Sequence, residues 1–211
     1  MQPTILVRGE ATREVPPELA VFSVSATVRG RDRATVVTQL TERAAGLRAA
    51  LDAYGEAIER RETGSVQVHP EVKPGHARPS GYAGSIETTV TVADFGALDE
   101  MLPSLALRDQ VSIFGPWWRL RPGSTAGAEV RRAAIADALT RARDYAAAVG
   151  AHVDRLVEIS DEVAGPVMPM ATRMIQESAP TLELDPQRQT VEAAVLVRVT
   201  ITEPDISGKA E

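Results

Sequence analysis

The chain of 211 residues has no cysteine, so disulfides, thiolate nucleophiles and cysteine-ligated zinc are excluded. Aromatic residues make up only 4%, so any core must be built from Val, Leu, Ile and Ala. Histidine is almost as scarce. His69, His76 and His152 are the only three, and none has a second His or a carboxylate at metal-ligand spacing. No run approaches the roughly 20 apolar residues of a membrane helix, which argues against direct membrane insertion. The net charge is -6, the wrong sign for a nucleic-acid partner. Catalytic spacings are missing too. Gly123-Ser124-Thr125-Ala126-Gly127 puts its serine one place too early for a nucleophile elbow and reads as a helix start. The glycines from Gly75 to Gly84 fit no phosphate-binding pattern. No catalytic residue, cofactor or metal site is therefore assigned.

What is present is periodic. Phe22, Val24, Ala26 and Val28 alternate with Ser23, Ser25, Thr27 and Arg29, the signature of a half-buried strand. An earlier strand covers about 4–10, and Pro16-Pro17 reads as the turn between the two. Ala34, Val37, Leu40, Ala44, Leu47, Leu51 and Tyr54 recur at helical steps, with Asp32 as cap and Gly55 as stop. A hairpin follows, its arms carrying Val66 and Val68, then Ile86 to Val92, around a Pro- and Gly-rich loop. A short helix from Phe95 to Leu105 leads to a strand with Val111 and Ile113. A second long helix spans about 126–149, and strands lie at 153–159 and 191–201. The order ββαββαβαββ predicts an α+β fold: antiparallel sheet or sheets with two long helices packed on one face. Residues 4–202 are expected to form one domain, with two lobes at about 4–94 and 95–202. A long irregular loop is expected at 164–189 and a flexible tail at 203–211.

Two features point to contacts beyond the ordinary core. Ala134, Ala138, Ala142 and Ala146 recur at four-residue steps, a small-residue face that admits a close neighbour, either the chain's own sheet or another subunit. Trp117 and Trp118 are adjacent on a strand, so only one of them can enter the same core. The other needs cover from a loop, a subunit or a ligand, and both are candidate interface residues. Met168, Met170 and Met174, in the irregular stretch, are candidate ligand contacts because thioethers adapt to apolar partners.

Ile5-Leu6-Val7-Arg8-Gly9-Glu10-Ala11 followed by Val15-Pro16-Pro17-Glu18-Leu19-Ala20-Val21 resembles the opening of SIMPL-domain proteins. Leu51-Asp52-Ala53-Tyr54-Gly55, then Thr63 to Pro70, the alanine-rich helix ending at Gly150 and the last strand extend the likeness over about 4–202. The resemblance implies a two-lobed α+β fold and self-assembly into homo-oligomers, in some members ring- or channel-like. It also implies an envelope location and, for some members, a link to oxidative stress. It supplies no catalytic residues. Met1-Gln2-Pro3 runs straight into a strand without an export leader, so the expected location of a complete chain is cytoplasmic. The expected function is non-enzymatic self-assembly. The alternatives are a small-molecule or peptide binder, and a hydrolase with a loop-borne site at 70–84 and 164–189.

Overall fold

A computed structural model describes residues 2–72, 79–162 and 184–205. Seven strands and three α-helices follow the expected order: β1 (Thr4–Val15), β2 (Leu19–Gly30), α1 (Arg33–Asp52), β3 (Ile58–Glu71), β4 (Gly81–Val92), α2 (Phe95–Ala106), β5 (Val111–Arg119), α3 (Thr125–Ala148), β6 (Val153–Glu162) and β7 (Gln189–Ile201). A single 3-10 turn, Gly55–Ala57, follows α1. The fold class is α+β, and every strand pairing is antiparallel. Among the described residues the helices are capped as their sequences dictate. Asp32 accepts from the Thr35 amide at 2.8 Å and its hydroxyl at 2.7 Å, and Asp94 accepts from the amides of Gly96 and Ala97.

The strands form two antiparallel sheets, and the two long helices α1 and α3 pack on different ones. The chain divides into one unit of Met1–Pro16, Pro122–Ile175 and Arg188–Glu211 and another of Pro17–Arg121 and Gln176–Gln187. This cuts differently from lobes at 4–94 and 95–202, because β1 joins the C-terminal elements. It does not form a hairpin with β2. Its partner is β7, in continuous register from Thr4↔Thr200 to Val15↔Gln189. Pro16 and Pro17 end the strand at the point where the chain leaves one unit for the other.

In the unit containing both termini, the sheet order is β1-β7-β6, and α3 lies on one face. Val7, Val195, Val197, Val199 and Ile201 supply the sheet side of the core. Ala134, Ala138, Ala142 and Ala146, all with no exposed surface, supply the helix side. Methyl side chains bring the helix backbone almost onto β1, and Gly9 makes room for it. A Cβ at Gly9 would fall 2.1 Å from the Ala134 carbonyl oxygen and 2.5 Å from the Ala138 amide nitrogen. The same approach lets Asp137 accept a 3.0 Å hydrogen bond from the Glu10 amide, while Arg13 pairs with Glu129. An edge strand is thereby tied to the helix that covers it.

In the other unit, the order β3-β4-β2-β5 carries α1 and α2 on one face. Ala20, Phe22, Val24, Val90 and Val92 meet Leu47, Leu51, Leu98, Met101, Leu102 and Leu105 in its main core. Burial along α1 falls on Val36, Leu40, Leu47 and Leu51, whereas Val37, expected in the apolar stripe, is exposed. The shift from Val37 to Val36 has a visible cause. Gly84 leaves a gap that a Cβ would close to 2.7 Å from a Val36 methyl, so Val36 fills it.

Replacing Gly9 by Ala should cost about 3 kcal/mol or more in urea unfolding, the upper range for overpacking. Adding Ala138→Gly should give no rescue, because the nearest obstruction is the Ala134 backbone. The Asp137 carboxyl is held below its ordinary value chiefly by the Glu10 amide; desolvation opposes this, and Arg141 adds to the lowering. A depressed carboxylate stabilises the fold fully above its unfolded-state value and loses that effect as pH falls through the folded one. The stability gap between wild type and Asp137→Ala should therefore be open at neutral pH and close below about pH 4, read from unfolding curves across pH.

Candidate functional site

Each strand of the β3-β4-β2-β5 sheet turns one set of residues to the helices and the alternate set to the opposite face. On β5, Val111, Ile113 and Trp118 pack on the core, and Trp118 meets Phe95 edge-on at 5.0 Å between ring centres. A register shift in β5 beside Val21 and Ser23 accommodates Gly115 and Pro116, so the alternation resumes one place later. It leaves Phe114 beside Ser23 and Trp117 beside Val21. The adjacent tryptophans thus diverge as the strand period requires. Trp117 is 43% exposed and Phe114 is 70% exposed, with ring centres 5.9 Å apart. Among the described residues no strand pairs with the outer edge of β5, where this aromatic pair stands.

The remainder of this face is polar. Ser23 donates to Glu87 at 2.5 Å, and Ser65 donates to its other oxygen at 3.3 Å. Further along lies a concavity of about 380 Å³ lined by Thr27, Arg29, His69, Glu71, Ala83, Ser85 and Gln110, together with Val28 and Gly84. Its lining includes Glu71, Ala83 and Gly84, which fall in 70–84, one of the two segments from which a loop-borne site was expected.

The other expected site residues are distributed as follows. Ala134, Ala138, Ala142 and Ala146 are consumed by the chain's own sheet, so in this conformation they offer no surface to a second subunit. Trp118 is likewise taken by the core. Met168, Met170, Met174 and His76 lie outside the described residues. Leu184, within the stretch expected to be irregular, packs against the main core of the second unit. His152 is exposed, and its amide donates to the Thr202 hydroxyl at 2.9 Å. Among the described residues no three His, Asp or Glu side chains gather as a metal set, and no helix is long and apolar enough to cross a membrane. Phe114 and the polar concavity were missed. Their signals, alternation on β2 and β4 and the aromatic before Gly115, were in the sequence, but the strand neighbours were not.

These features define a two-unit α+β protein, each unit an antiparallel sheet with helices on one face. The family model SIMPL, described as a protein of unknown function (DUF541), matches residues 5–199. The chain belongs to this family. No curated protein matches it.

The two tryptophans should separate in mutagenesis. Trp118→Ala should cost roughly 3 kcal/mol of stability by opening the core, and Trp117→Ala well under about 1 kcal/mol, both read by urea unfolding.

Proposed function

We propose that the protein acts by self-assembly rather than catalysis, joining copies through the outer edge of β5. The observation that carries this reading is the exposed Phe114–Trp117 pair beside a strand edge that no other strand pairs among the described residues. A strand edge offers backbone donors and acceptors to another strand, and large aromatic rings beside it supply apolar area at low entropic cost. The small-residue helix face, the rival interface, is already filled from within the chain. A homo-oligomer is also what the resemblance to SIMPL-domain proteins implies. A stress-linked role forms part of the same proposal and rests on that resemblance alone.

Light scattering coupled to size-exclusion chromatography tests it. The wild-type chain should elute with the mass of several copies. A Phe114→Ser, Trp117→Ser double variant should shift toward the monomer mass while keeping its circular dichroism. A monomer at every concentration, or a double variant that assembles as wild type does, overturns the reading.

A further inference from the structure

We propose that the concavity on the polar face of the β3-β4-β2-β5 sheet is a binding site for a small molecule bearing a carboxylate or phosphate group. The strand register builds it. Arg29, Ala83 and His69 lie in one cross-strand row, and Thr27, Ser85 and Gln67 in the next. The central strand therefore contributes short side chains, Ala83 and Ser85, and Ala83 is flanked by the long side chains of Arg29 on β2 and His69 on β3. Strands about 4.8 Å apart put the backbones of these walls roughly 10 Å from each other over a low floor, and the Arg29–Glu71 pair spans the gap at one end. A ligand of a few heavy atoms fits the resulting trough, whose volume is about 380 Å³.

The chemistry of the lining favours an oxyanion. Arg29 bonds Glu71 through Nε alone, at 2.9 Å, and no Nη contact accompanies it among the described residues. Both Nη groups of the guanidinium fork remain as donors, the arrangement suited to carboxylate and phosphate. The His69 ring, the Ser85 hydroxyl and the Gln110 amide add further polar groups around the same space. Glu71 is the one carboxylate in the lining, and its charge is already answered by Arg29. A cationic ligand would have to break that pair, whereas an anionic one uses what the pair leaves over.

Gln110 supplies an independent sign that this end of the trough is built to a shape. It holds φ at +59, a left-handed conformation that a residue with a side chain adopts only under constraint. The constraint is visible. Its carbonyl accepts from the Thr27 amide at 3.0 Å and the Thr27 hydroxyl at 3.4 Å, which fixes the turn entering β5 against β2.

The test is a titration of the full chain with inorganic phosphate and, separately, with succinate, followed by amide chemical shifts in two-dimensional NMR. Saturable shifts centred on the amides of Thr27, Ala83, Gly84 and Ser85 are expected with at least one anion, and the anion that saturates names the group. Arg29→Gln should weaken binding at least tenfold, and so should Ala83→Leu, which fills the floor without touching a charge. Arg198→Gln, which removes a guanidinium from the other sheet, should leave affinity unchanged. Failure of both anions to saturate overturns the proposal. So does an Ala83→Leu variant that binds as wild type does, since attraction to a surface charge would then suffice. Light scattering on the Arg29→Gln variant keeps this outcome separate from that of the assembly proposal.

Discussion

The helix α3 rests on β1 at a separation set by backbone atoms rather than by side chains, and the rest of its unit is arranged around that fact. With alanines on the helix and a glycine on the strand, each element contributes little apolar area per residue. The stabilisation must come from many short-range contacts between closely fitted surfaces. Valines at 195, 197 and 199 of the central strand supply the larger volumes that such a helix face lacks. The closeness also explains the polar ties. Only a helix this near the strand can bring the short Asp137 side chain to the Glu10 amide. One edge strand of the sheet is thereby tied to the element that packs on its face.

The second unit solves the same problem with opposite materials. Its helices carry Leu and Met against Phe22 and the valines of β2 and β4, a core of large side chains at ordinary separation. Gly84 shows where the two solutions meet. It is a local cavity in an otherwise bulky surface, and Val36 enters it. The face away from the helices is left to hydroxyls, charges and two aromatic rings. Both proposed activities lie there because no described helix of the unit covers it.

Legibility in the sequence followed the range of the interaction. Elements whose pattern is local were readable: the alternation of β2 and β7, the caps at Asp32 and Ser124, the divergence of Trp117 from Trp118. The burial of the alanine stripe left its partner undetermined, because small residues at four-residue steps suit any close neighbour equally. What decides between sheet and subunit is Gly9, more than 120 positions away in the chain. The pairing of β1 with β7 was hidden for the same reason. Pro16-Pro17 stops a ladder but does not say whether the chain then folds back or departs. The choice of Val36 over Val37 was beyond a helical period that spans both, since it turns on a single absent Cβ in another strand.

The polar concavity illustrates a further limit. Arg29, His69, Ser85 and Gln110 share no motif, and each alone reads as an ordinary solvated side chain. Their convergence is a product of register: a slip of one residue between β2 and β4 would send Ser85 to the helices and bring Gly84 to the open face. The register is itself held by the core, because Val28 must meet Gly84 for Val36 to pack between them. The packing that makes the unit stable thus also places the arginine fork over a floor of short side chains. A change at Gly84, on the helix side of β4 and facing away from the trough, would disturb the site as surely as a change in its walls.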